Sequence, residues 1–485
     1  MYNGKDLQKK SAKTDGQPGK GVFTHMYKIN FNEPKKVHFT GIGGISMSGL
    51  AEILLSEGFS VRGSDQTLSA ITRHLEDRGA VIFQGHRREN VAPDTDVLVY
   101  TAAVGPDNPE LAAAAQLSIP TLTRAQLLGQ MMKNYSPAIG IAGTHGKTTT
   151  TAMISQIFLE ADADPTILVG GIMPAIDGNI RIGNSKNFIT EACEYTNSFL
   201  SFSPTTGVIL NVRADHLDFF KDIDDIYNSF REYARLIPDD GLLVINKDIE
   251  RLSFITDGLG CKITTFSVDD ETADFTAKNI TFDELARASF DIIAWGKHAG
   301  SVSLKLPGKH NVSNALAAAA AAAGTGMSFS DITAGLSECG GAKRRFEHKG
   351  DLGGVTVIDD YAHHPDEIRA TLKTAKQFRS GKIWCVFQPH TYSRTAALLD
   401  EFADALAGAD EVILADIYAA REKNTIGITS EDLQKKLVEK GTSARYFPSF
   451  EEIENFLLKN LINGDMLITM GAGDIVNVGD HLLKK

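Results

Sequence analysis

Residues Ile139 to Thr150 read IGIAGTHGKTTT, an apolar run, a glycine turn, then Lys147 and a run of threonines opening a helix. Those residue types in that order make a phosphate cradle. Backbone N–H groups from Gly143 to Lys147 point at phosphate oxygens, and a helix N-terminus adds about half a positive charge. Lys147 reaches the outer phosphates, and Thr148 offers a hydroxyl to a metal. The standard motif calls for glycine at position 141, where Ile141 stands, so this is a shorter G-x-x-G-K-T form. A glycine turn that only caps a helix is the alternative. It leaves the order strand, glycines, Lys-Thr, helix to chance.

Other chemistry-bearing residues leave apolar runs in the same way. Glu191 and Glu194 follow FIT in TEACEYTNSF, and His216 follows GVILNV in RADHLDFF. Mg²⁺ takes one or two carboxylates plus substrate phosphates, so Thr148 and one glutamate suffice. His216 is an odd partner for so hard an ion, and a histidine bonded to backbone stays open. For Glu194 and Asp218 a solvated carboxylate stays open too. His310, Asn311 and Asn314 open an alanine-rich helix; amides three apart share a face and can read an adenine edge, while Asn311 as an N-cap is the plain alternative. IDDYAHHPDE and QPHTYSRT bring Asp359, Asp360, Tyr361, His363, His364, His390 and Arg394 to two further strand ends. A transition-metal site is one reading of the histidines, and a grip on a small carboxylate with Arg394 as its cation fits better. Near the start, Gly41, Gly43 and Gly44 make a turn between strand and helix. Ser46 breaks the dinucleotide fingerprint, but Asp65 stands 21 residues after Gly44, the usual distance for a ribose hydroxyl. A diphosphate-nucleotide site and a glycine used for close packing both account for that turn.

These ends need elements to hold them. From Lys35 onward strand-like runs alternate with helical ones, the pattern of parallel sheets with helices on both faces. The boundaries follow composition: an arm over 1–34, a nucleotide-type domain over 35–134, a central phosphate-binding domain over 135–342, and a third α/β domain over 343–485. In 485 residues with 42% hydrophobic and 23% charged side chains, each domain can bury its own core. The net charge of −12 argues against a nucleic-acid partner. Cys193, Cys261, Cys339 and Cys385 are scattered, so neither a disulfide framework nor a zinc site is expected. Ala315 to Ala323 is too short to cross a bilayer, and the polar N-terminus has no apolar signal core. A cytoplasmic protein with no membrane partner is expected, with the arm disordered to about Met26.

Taken together, GIGGISMSGLAEIL, GTHGKTTT, EACEY, ADHLD, KHNVSNALAA, RRFE, DDYAHHPDE, QPHTYSRT and GAGDI resemble the Mur ligase family of cell-wall peptide synthetases, in family order from about Lys35 onward. The resemblance implies three domains: Rossmann-like for UDP, P-loop-like for ATP, and a second Rossmann-like domain for the amino acid. It implies an ATP- and Mg²⁺-dependent joining of L-alanine to the lactyl carboxylate of UDP-N-acetylmuramic acid through an acyl phosphate, by a monomer or weak homodimer. Thr148 and Glu191 match one Mg²⁺ site and His216 a second. Lys147, Glu191 and His216 match the catalytic set. Gly143, Thr144, His145, Gly146, Thr149, His310, Asn311, Asn314 and Arg345 match the remaining ATP contacts. Gly41, Gly43, Gly44, Asp65 and His86 match the UDP end, and Tyr361, His363 and Arg394 the amino-acid site. Thr391 stands where the family often has arginine, and no residue matches the carbamylated lysine of other branches. A ligase for a recovered tripeptide is the rival within the family. A nicotinamide dehydrogenase leaves GTHGKTTT unexplained, and a non-catalytic sensor of ATP and wall precursor is a third reading.

Overall fold

A computed structural model describes residues 27–101, 103–216, 219–378, 381–420 and 422–484. Most of the expected arm, and Asp218, lie outside them. Residues 27–34, the end of that arm, pack against the rest of the chain. Ile29 is buried, Phe31 sets its ring edge-on to Phe59 and Tyr135, and Asn134 bonds the backbone of both Ile29 and Phe31. Ile29, with Tyr27 and Phe31 packed alongside, anchors these eight residues on the core.

The first sheet holds β1 (Lys36–Thr40), β2 (Ser60–Asp65), β3 (Val81–Gln84), β4 (Val97–Tyr100) and β5 (Thr121–Thr123) in the parallel order β3-β2-β1-β4-β5. The strand order reverses beside β1, and ligands of open α/β sheets gather at that switch. The helix Arg124–Met132 then leads out, its start closed by reciprocal bonds between Thr123 and Gln126.

The second sheet is larger than its phosphate cradle requires. Its strands are β6 (Ala138–Ala142), β7 (Thr166–Met173), β8 (Gly178–Arg181), β9 (Phe188–Glu191), β10 (Thr206–Ile209), β11 (Leu242–Asn246), β12 (Lys262–Phe266), β13 (Phe275–Phe282), β14 (Arg287–Ala294) and β15 (Lys297–Pro307). They run β15-β14-β13-β12-β11-β10-β6-β9-β7-β8. The central strands are parallel, while β13, β14 and β15 form an antiparallel meander. Every residue of β6 is buried, which fits a strand covered on both faces. The alanine helix Lys309–Gly324 lies against the helix Lys147–Glu160 and the sheet, because methyl side chains permit close approach.

The third sheet runs β16-β17-β21-β18-β19-β20, from β16 (Glu347–Leu352), β17 (Val355–Asp360), β18 (Ile383–Phe387), β19 (Glu411–Leu414), β20 (Ala444–Tyr446) and β21 (Met466–Met470). Only β16 is antiparallel to its neighbour. The α/β class with three parallel-sheet units is the one expected. Among the described residues no helix is long and apolar enough to cross a membrane.

Candidate active site

The cradle between β6 and the helix Lys147–Glu160 is built on two left-handed glycines, Gly143 at φ 145° and Gly146 at φ 87°. A Cβ on Gly146 would come within 2.7 Å of Asn314 Oδ1, so only glycine fits above that amide. Residues just after β10 brace the loop. Asn211 Oδ1 accepts from His145 N at 2.9 Å, its Nδ2 donates to His145 O, and Arg213 N donates to Thr144 Oγ1. The N–H groups of Lys147, Thr148 and Thr149 open the helix without an intrahelical acceptor, and no side chain caps them. All three residues line a cavity of about 410 Å³.

Lys147 Nζ donates to Gly143 O and Thr144 O at 2.6 and 3.1 Å and pairs with both Glu194 carboxylate oxygens at 2.9 and 3.1 Å. Burial opposes the ammonium, but Glu194 holds the Lys147 pKa above its usual value. Glu194 is therefore a buried counter-ion, and the solvated carboxylate left open from sequence is not what forms. Glu191 ends β9, and its Oε1 accepts from Gly170 N at 2.5 Å. His216, at φ 54°, sets its ring against Tyr195, centroids 4.6 Å apart and planes tilted by 33°.

The far wall of the cavity belongs to the third sheet's domain. Arg345, Phe346, Asp360 and Glu367 face the cradle, and His364 Nε2 reaches Asp215 Oδ1 at 3.5 Å across the gap. Burial raises Asp360 to about 6, against the pull of Arg345 and bonds from Ala362 N and Thr371. On the adjoining side of the cavity stand His310, Asn311 and Asn314. The helix starts at Lys309 after Gly308, so Asn311 is not its N-cap; its Nδ2 donates to Pro307 O and its Oδ1 accepts from Asn314.

Tyr361 and His363 sit at the end of β17. His363 Nδ1 lies 3.0 Å from Tyr361 O and 3.3 Å from Glu367, and its ring meets His390 edge-on. Burial, with His363 and Arg394 alongside, lowers His390 to about 4. Arg394 Nη1 is buried with no partner among the described residues. A buried donor left unpaired on a cation is costly unless an anion meets it.

At the switch point of the first sheet, Gly43 N donates to Asp65 Oδ2 at 2.8 Å, and His86 Nδ1 lies 2.7 Å from Ser64 Oγ. Gly41 takes φ 85°, and Gly44 precedes the uncapped helix Ile45–Ser56. Asp65 thus holds the glycine turn in shape as well as ending β2.

Three family models match consecutive parts of the chain: Mur ligase family, catalytic domain, over 36–136; Mur ligase middle domain over 141–322; and Mur ligase, glutamate ligase domain, over 344–473. A UDP-N-acetylmuramate–L-alanine ligase of Lachnospira eligens is 55% identical over 459 residues, 95% of this chain and 100% of that protein. The Agathobacter rectalis ligase of the same name is 56% identical over 460 residues, with the same coverage. The chain belongs to the Mur ligase family. Among solved structures, the UDP-N-acetylmuramate-alanine ligase of Thermotoga maritima matches with a TM-score of 0.75 at 31% identity, covering 93% of this Mur ligase and 98% of that chain. A murein peptide ligase of Psychrobacter arcticus gives 0.67 at 25% identity, with the same coverage. Mur ligases are ATP-dependent.

In this Mur ligase the described residues include no group of three or more His, Cys, Asp and Glu side chains that could hold a metal unaided. Mg²⁺ asks for less, because phosphates and water complete its shell. Thr148 and Glu191 meet that smaller demand. Both stand over β7, where a Cβ on Gly170 would come within 2.7 Å of the Glu191 carboxylate and one on Gly171 within 3.5 Å of the Thr148 methyl. Asn211, Asp215 and Glu367 were not among the site residues expected from the sequence. Asn211 and Asp215 stand at and just beyond the end of an apolar run, the signal that found His216. Nothing local marks Glu367 as facing the cradle.

Proposed function

We propose that this chain joins L-alanine to the lactyl carboxylate of UDP-N-acetylmuramic acid, with ATP going to ADP and phosphate, in peptidoglycan precursor synthesis. The observation that carries the reading is the uncapped cradle with Lys147, opening into a cavity that the third domain closes with Arg345. The relatives of the same length that bear this activity in their names support it.

A carboxylate does not acylate an amine unaided, because its oxygen leaves poorly. Transfer of the γ-phosphoryl group gives an acyl phosphate, and the alanine amine then attacks that carbon and expels phosphate. Thr144 N and His145 N are spent on Asn211, so in this scheme the N–H groups of Lys147, Thr148 and Thr149 hold the phosphates and Lys147 leaves Glu194 to follow the migrating charge. Arg345 approaches the same phosphates, and His310, Asn311 and Asn314 take the adenine. Arg394 holds the alanine carboxylate, with Tyr361 and His363 shaping its pocket. Gly41, Gly43, Gly44, Asp65 and His86 take the UDP end. Thr148, Glu191 and His216 would hold Mg²⁺, which supplies positive charge to the phosphate oxygens. The working units are residues 35–134, 135–342 and 343–485, and the enzyme works in the cytoplasm as a monomer or weak homodimer.

Phosphate release measured in parallel with L-alanine, glycine, L-serine and the wall tripeptide tests the substrate. Turnover is expected with L-alanine. Turnover with tripeptide alone would make this a recycling ligase, and nucleotide binding without amide product would make it a sensor.

A further inference from the structure

The amino-terminal domain buries a carboxylate that none of the chemistry above uses. Glu110, in the first turn of the helix Pro109–Gln116, has no exposed surface. Its Oε2 takes bonds from Thr40 Oγ1 at 2.7 Å and Ser64 Oγ at 2.7 Å and meets His38 Nε2 at 3.1 Å; its Oε1 takes Asn90 Nδ2 at 2.7 Å. Burial pushes Glu110 up, but the bonds from His38, Asn90 and Thr40 outweigh it and hold the group at about 2. It is an ionised carboxylate and can only accept.

That fixes the order of protons outward. Ser64 has a single O–H, and it goes to Glu110; the reverse order would set two acceptor oxygens 2.7 Å apart with nothing between them. Ser64 can then only accept from His86 Nδ1. In the neutral ring this leaves Nε2 with a bare lone pair, and no described residue bonds it. His86 stands two residues beyond the end of β3, on the carboxyl edge beside Asp65 and the glycine turn, and its side chain is 10% exposed.

We propose that Glu110, acting through Ser64, fixes His86 as its Nδ1–H tautomer and so makes Nε2 an acceptor for an N–H or O–H of the substrate's UDP end. Glu110 and Ser64 are positioning residues, and His86 makes the contact. The ligand half rests on the reading that this crevice takes UDP. The arrangement favours a base or sugar that presents a donor, uracil N3–H or a ribose hydroxyl, and disfavours one that presents a second acceptor.

Nitrogen-15 NMR of the full-length protein labelled at histidine, with His86 assigned by its loss in His86→Gln, reads the tautomer directly. Nδ1 is expected to carry the proton in the wild type. Ser64→Ala should remove that single tautomer and weaken binding of UDP-N-acetylmuramic acid about five- to thirty-fold, with kcat changed by less than about two-fold. In a His86→Ala background the same substitution should change binding by less than about two-fold. An N3-methyluracil analogue and a 2′-deoxyribose analogue identify the donor, since one of them should lose affinity in the wild type but not in His86→Ala. A proton on Nε2 with binding intact, or an equal Ser64→Ala loss in both backgrounds, overturns the relay. If neither analogue shows that difference, the His86 contact is overturned. If Ser64→Ala does not fold, the wild-type tautomer decides alone. A wild type that shows Nδ1–H but binds no UDP-sugar overturns the ligand half, and the proposed function with it.

Discussion

Replacing Lys147 by methionine removes two things at once, and the structure allows them to be separated. The first is a counter-ion. Glu194 has a side chain only 3% exposed and takes both its short contacts with a cation from Lys147. Removing one partner of a buried pair strands the other charge, at a cost of about 3–5 kcal/mol. The second is a stabiliser of the migrating phosphoryl charge, whose loss lowers turnover by about two to three decades. Lys147→Met alone should therefore be both unstable and slow. The double variant Lys147→Met/Glu194→Gln removes the stranded charge, and should recover to within about 1–2 kcal/mol of the wild type while staying slow. Urea unfolding followed by fluorescence and phosphate release at saturating substrates measure the two effects on the same samples. A double variant as unstable as the single one would refute the buried-pair account. Turnover that returns with stability would remove Lys147 from the chemistry.

Arg394→Ala should raise the KM for L-alanine far more than that for ATP, since Arg394, with its Nη1 unpartnered, belongs to the corner assigned to the amino-acid carboxylate; equal effects in steady-state kinetics would make Arg394 a support for domain closure. Asp360 is raised to about 6 from an unfolded value near 3.8, so the folded state binds more protons than the unfolded one between those limits. Stability from this group is therefore full below about pH 4 and falls as pH rises to about 6. Unfolding free energies for wild type and Asp360→Asn should differ by an amount that shifts over that window, and a constant difference would contradict the burial account.

The parallel sheets and the cradle were legible because apolar runs ending in glycine or polar residues report strand ends, and open α/β sheets put ligands there. The meander β13–β15 was not among the expected strands, although RASFDIIA and SVSLKL alternate with a period of two; half-buried strands carry a weaker signal than buried continuous runs. The pairing of Lys147 with Glu194 across 47 residues had no local signature. Neither did His364 with Asp215, since that contact exists only where the third domain meets the second. Family resemblance supplied the role of His216, which residue chemistry alone set against an oxygen-loving metal. The Glu110 network was invisible for the same reason as the Lys147 pair: its side-chain donors come from three separate segments of the first domain, and Glu110 itself from a fourth.

The central claim, activation of the sugar-nucleotide acid by phosphorylation before the amine attacks, is tested most directly by isotope transfer. UDP-N-acetylmuramic acid labelled with oxygen-18 in its lactyl carboxylate is incubated with the protein, ATP, Mg²⁺ and L-alanine, and both products are weighed by mass spectrometry. One labelled oxygen in the released phosphate, matched by one L-alanyl adduct per phosphate, is the predicted result. Phosphate released without label, or with no adduct, would contradict it.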